Sequence, residues 1–169
     1  MSSLEQLLQM FDDAWSHKDE SVKTVLNDVT AEEARWQHPA YSATDQMSGM
    51  PAAGSILWQV AHLEHSARHY AEILRLRPVA NEPMTSPPKI STLSELLALM
   101  QQAHAGLRGQ MTQLSESDLT RPCARAMTVE EFVRMVIRHD TWHAGQIAVG
   151  RRLFQESNRI RRERNKSGS

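Results

Sequence analysis

The chain has one cysteine, Cys123, which excludes an internal disulfide and points to a reducing, cytoplasmic setting. Aromatic residues make up 5% of the sequence and glycine is scarce at seven residues, whereas methionine is common at nine. That balance disfavours strands and favours helices. No run of about 18 apolar residues exists, which excludes a membrane span. There is no Gly-rich phosphate loop, no Gly-x-Ser-x-Gly elbow, no Cys-x-x-Cys and no His-Glu-x-x-His, so those routes to nucleotide, acyl-transfer, redox and zincin chemistry are closed. What remains is a 169-residue chain, 40% hydrophobic and 23% charged, long enough for one domain with a buried core. Its first residues, Met1 to Glu5, read as a helix start and not as a signal peptide.

Helix starts are well marked. A Ser or Thr followed three residues later by Glu or Gln is the capping-box pattern. Ser2 with Glu5, Ser3 with Gln6, Thr30 with Glu33, Thr92 with Glu95 and Thr128 with Glu131 all fit it. The apolar spacing predicts four long helices, over residues 3–27, 54–76, 93–114 and 129–154, with a short one at 31–36. A turn-rich stretch, 37–53, separates the short helix from the second long one. No strand and no internal repeat is expected. The result is an all-α, four-helix bundle spanning residues 1–155. The connection from Arg77 to Ser91 holds Pro78, Pro83, Pro87 and Pro88. Fifteen extended residues reach roughly 50 Å, enough to return along a whole helix, so the second and third helices are free to run parallel.

The chemistry lies in the histidines. His139 and His143 stand four residues apart, hence one above the other on a helix, and two imidazoles so placed chelate one divalent ion. At about 100° per residue, Phe132, Val136, His139, His143, Ile147, Gly150 and Phe154 form one stripe, which turns both imidazoles into the bundle. Arg138 and Asp140 fall towards the flanks. On the second helix, Gln59, Glu64, Arg68, Glu72 and Arg75 cluster on a polar side. His62 lies well inside the opposite, buried arc and is the third ligand. His69 lies nearer an edge of that arc and His65 at its boundary with solvent. Taken singly, each such histidine is more economically a hydrogen-bonded core residue. Three facing one core layer call for a common explanation, because an unpartnered buried imidazole is costly. Three protein ligands also leave a coordination position for water or substrate.

Several residues carry less. His104 sits in the apolar row of the third helix as packing or as an outer partner of the site. His17 and His38 belong to surface or loop. Gln146 is a pocket residue or a structural hydrogen-bonding group, Trp58 and Trp142 are packing, and Cys123 is a bystander. No general base is evident, since Asp140 and Glu64 are assigned to positions off the inward face. Net charge is −1, yet from Arg151 onward seven basic residues face two acids. Residues 156–169 are expected to be a basic, disordered tail, without the aromatics that stack on bases, so nucleic acid is not an expected partner.

In sequence order, Thr30-Ala31-Glu32-Glu33 leads to Trp36 and Pro39, then Ser55-Ile56-Leu57-Trp58-Gln59-Val60-Ala61-His62-Leu63, then His139-Asp140-Thr141-Trp142-His143-Ala144-Gly145-Gln146-Ile147. In these pieces and their spacing the chain resembles the DinB/YfiT-like superfamily over about residues 1–155. The resemblance implies an up-down-down-up bundle with a long crossover between the second and third helices. It also implies a divalent ion, nickel or zinc, on His62, His139 and His143, and a homodimer. Relatives include thiol S-transferases using bacillithiol or mycothiol, a mycothiol-dependent maleylpyruvate isomerase and the metal-binding half of ergothioneine-synthesising enzymes, whose second domain this chain lacks. Others are described as metal-dependent hydrolases.

The function expected on these grounds is that of a small cytoplasmic metalloenzyme. The ion would lower the pKa of a bound water or thiol, for transfer of a low-molecular-weight thiol to a small electrophile or for metal-assisted hydrolysis. The alternative is a non-catalytic stress-response or binding module with a structural metal. A fourth protein ligand would favour that alternative.

Overall fold

The computed structural model describes residues 1–39, 54–89 and 92–167. Most of the turn-rich stretch read at 37–53, and the last two residues of the Arg77–Ser91 crossover, lie outside that set. The described residues form helices and no strand: α1 (Ser3–Ser16), α2 (Val22–Leu26), α3 (Ala31–Arg35), α4 (Ile56–Leu76), α5 (Leu93–Met111) and α6 (Val129–Ser167), with a 3₁₀ turn at Glu116–Asp118.

The caps legible in the sequence are formed. Ser2 Oγ accepts from Glu5 N at 3.2 Å while Ser2 N donates to Glu5 Oε2 at 2.7 Å. Thr30, Thr92 and Thr128 accept from the amides of Glu33, Glu95 and Glu131. Each cap satisfies an otherwise orphaned helix N–H and contributes about 1 kcal/mol. Ser55 caps α4 in the same way, accepting from Trp58 N.

Two boundaries differ by more than a helical turn from those the periodicity predicts. The first long helix stops at Ser16 instead of running to residue 27. Buried Ser21 caps a new helix by accepting from Thr24 N and donating to Thr24 Oγ1, which in turn donates to His17 O. These local side-chain bonds outcompete helix continuation and turn Val22 and Leu26 into the core beside Trp15. The fourth long helix, expected to end near residue 154, instead continues to Ser167, so the segment assigned to a disordered tail is exposed helix as far as it is described. After Gly150 no Gly or Pro occurs until Gly168, and Arg159 pairs with both Glu156 and Glu163.

The core falls into two clusters. One holds Leu7 and Phe11 of α1, Tyr70 and Ile73 of α4, Leu107 and Met111 of α5, and Phe132 and Val136 of α6. The other holds Trp15, then Val60 and Leu63 of α4, Leu93 and Leu96 of α5, and Ala144 and Ile147 of α6. Thus α4 and α5 both pass from the second cluster to the first, while α1 and α6 pass the opposite way, the sense that an up-down-down-up order requires. At the second cluster's end, Arg151 ties α6 down. Its Nε lies 2.9 Å from Glu33 Oε1, and its Nη1 donates to the carbonyls of Val25 and Asn27 at 3.0 and 2.8 Å.

Candidate metal centre

Where α4 and α6 face each other, one imidazole from α4 meets two from successive turns of α6. His62 Nε2 lies 3.0 Å from His139 Nε2, which lies 3.2 Å from His143 Nε2. Among the described residues these three are a group whose ligand atoms all lie within 4.8 Å of one another, and no fourth His, Cys or carboxylate joins them. The spacing fits an ion. Nitrogens bound at about 2.0–2.1 Å, subtending 90–110° at the metal, stand about 2.9–3.4 Å apart. It fits hydrogen bonding poorly, because His139 Nε2 offers either one proton or one lone pair and so serves only one of its two neighbours. A cation resolves all three at once.

The surrounding side chains hold the rings. Gln59 Oε1 accepts from His143 Nδ1 in a short contact, which fixes the tautomer and leaves the Nε2 lone pair free. The Trp58 ring stacks on His62 at 4.9 Å with 4° between planes, and Tyr70 meets His139 edge-on at 5.5 Å. Ser66 Oγ lies 3.4 Å from His62 Nε2, so a hydroxyl sits beside the ligand cluster. Burial, then the neighbouring imidazoles, lowers His62 to about 4 and His143 to about 3. Both are therefore neutral at pH 7, the form that ligates.

Gln59 had been assigned to the polar side of its helix; it is buried, and its partner on another helix is the reason. Replacing Gln59 with leucine is expected to weaken divalent-ion binding by about 10–100-fold, the range for loss of an orienting partner, with the helical circular dichroism unchanged. Competition against a chromophoric chelator measures it.

The structure sorts the other candidates. His65 Nε2 meets Thr85 O and Thr85 Oγ1 at 2.9 and 2.8 Å, and His69 pairs with Glu82 at 2.8 Å. Both pin the crossover segment and stand apart from the ligand cluster. His104 is buried between the Phe11 and Trp15 rings, stacked at 4.3 and 3.8 Å. Glu64, assigned to the polar side, is buried beneath Arg68, which binds it through two nitrogens. Cys123 is buried and its thiol is pushed up to about 11 by that burial, so it stays an unreactive bystander. Trp142, expected to pack, is 65% exposed and lines a cavity of about 450 Å³ with Trp36, Gln59, Gln146 and Leu153. Gln59 borders both the cavity and His143, but none of the three histidines lines it.

Asp140, read as flanking, is 7% exposed and faces inward. The signal was present in the spacing Val133, Ile137, Asp140, Ala144 and Ile147, a second inward line at intervals of three and four, all of it buried.

The family model described as the DinB superfamily matches residues 14–147. The chain belongs to the DinB superfamily. No curated protein and no solved structure matches it. The match takes in His62 and both α6 histidines. It stops at Ile147, before Arg151 and the exposed end of α6.

Proposed function

We propose that this DinB-superfamily protein is an enzyme dependent on a divalent ion, nickel or zinc, held by His62, His139 and His143. The supporting observation is the convergence of three Nε2 atoms with no fourth protein ligand among the described residues. Three imidazoles suit these metals and leave room for a reactant. When bound, the ion supplies acidity to a water or thiol entering beside it. The protein orients the ligands through Gln59 and offers the Ser66 hydroxyl to position the incoming group. The first reaction class is transfer of a low-molecular-weight thiol to a small electrophile. A sulfur–carbon bond would form as the bond from that carbon to its leaving group breaks; the leaving group departs with the electron pair, and the thiol proton passes to it or to solvent. Hydrolysis is the second class. Both follow the family's range. A homodimer in a reducing cytoplasm, with no nucleic-acid or membrane partner, completes the reading. No described helix is long and apolar enough to cross a membrane.

The test is metal analysis of protein purified without a nickel column, followed by a panel of small thiols and electrophiles. About one nickel or zinc ion per chain is expected, with turnover that a chelator abolishes and the same ion restores. Metal-free protein with no divalent-ion affinity overturns the reading. Tight metal binding with a saturated protein shell and no turnover favours a structural metal.

A further inference from the structure

Behind His139, on the side away from the ligand cluster, the Asp140 carboxylate stands between His139 and His104, each of its oxygens beyond hydrogen-bond distance of the nearer ring nitrogen. Asp140 Oδ1 lies 3.8 Å from His139 Nδ1, and Asp140 Oδ2 lies 3.7 Å from His104 Nε2. His139 Nδ1, Asp140 Oδ2 and His104 Nε2 all lack hydrogen-bond partners among the described residues. No Lys or Arg among the described residues pairs with Asp140 either. A carboxylate placed this way is costly unless a positive charge answers it. His104 is no free rotor that might swing in to help. The flat stacks with Phe11 and Trp15, 3° and 12° between planes, clamp its ring where it stands.

We propose that Asp140 is a positioning residue for the metal centre: from behind, it holds His139 in the Nδ1–H tautomer and supplies the counter-charge to the ion, with His104 as the fixed wall that keeps the carboxylate aimed at His139. This rests on the metal reading above. A cation held at the three Nε2 atoms draws electron density through the His139 ring and makes its Nδ1–H a stronger donor. The carboxylate then gains both a charge-assisted hydrogen bond and a compensating charge. Without the ion, the same carboxylate is a buried group with nothing to answer it. Asp140 therefore has opposite effects in the two states, favouring the loaded protein and disfavouring the empty one.

That opposition gives the test. Asp140→Asn keeps the shape and removes the charge; Asp140→Leu removes charge and hydrogen bonding together. Zinc and nickel dissociation constants are measured by chelator competition, the visible spectrum of the cobalt form reports ligand geometry, and Tm is taken on chelator-stripped protein. The expected result is metal binding weaker by about 10-fold in Asp140→Asn and about 100-fold in Asp140→Leu, a shifted cobalt spectrum, and a stripped Tm for Asp140→Asn at or above that of the wild type. If both variants bind as tightly as the wild type, the inference fails while the three-histidine site stands. If stripped Tm and affinity fall together, Asp140 is a packing residue and the inference fails. If the wild type itself binds no ion, while His62→Ala behaves identically, both readings fail.

Discussion

Alanine at His139 is expected to lower divalent-ion affinity by more than about 100-fold, beyond the range of any outer partner. Of the three candidate ligands, His139 is central, because its Nε2 lies within 3.2 Å of the Nε2 atoms of both others. Removing it leaves His62 and His143 on different helices, and the chelating i, i+4 pair is gone. The effect is visible as thermal stabilisation. A site that binds only the folded chain stabilises it by about 4 kcal/mol when free ion stands 1,000-fold above Kd. The wild type should show a metal-dependent rise in Tm of that origin, and His139→Ala should show no more than about a third of it at the same concentration. A variant that keeps the full rise would place the ion elsewhere.

Methionine at Arg151 is expected to cost about 3 kcal/mol of stability without touching the metal. Glu33 is buried, and Arg151 is its partner at 2.9 Å. Removing one member of a largely buried pair leaves an uncompensated charge, for which losses of about 3–5 kcal/mol are typical. The guanidinium keeps some solvent contact, 22% of its side-chain area, so the lower end applies. The carbonyls of Val25 and Asn27 lose donors as well. Urea unfolding should show a lower midpoint with little change in slope. Adding Glu33→Gln should recover part of the loss, because no charge then remains buried. Equal losses in the single and double variants would assign the effect to the carbonyl contacts.

The two predictions separate tasks that the sequence places on one helix. The stretch of α6 up to Ile147 carries two of the three candidate ligands, His139 and His143, and falls within the family match. Arg151, one turn further on, fastens that stretch to α2 and α3. In the sequence it had been grouped with the basic residues of the tail, since its partner Glu33 lies 118 residues away.

Local chemistry was enough to set the helix starts, because a cap is decided within four residues. It was enough to pair His139 with His143, because i, i+4 geometry belongs to any helix. His62 followed from a wide apolar arc that has one buried side wherever the helix docks. The break at Ser16 was lost because serine and threonine suit both a helix surface and a cap, and burial of Ser21 decided between them. Gln59 and Glu64 are buried despite their polarity, which by itself does not imply exposure. Each is buried by a partner, on a facing helix for Gln59 and one turn along for Glu64. Asp140 was misplaced for a related reason. A single 100° stripe supposes one neighbour, whereas α6 packs against α1, α2 and α4 and buries a second line of residues. Sequence by itself determined the all-helical class, most helix starts with their caps, and which three histidines meet. Tertiary structure alone decided which polar groups stand behind that set, since their burial depends on what the other helices bring to meet them.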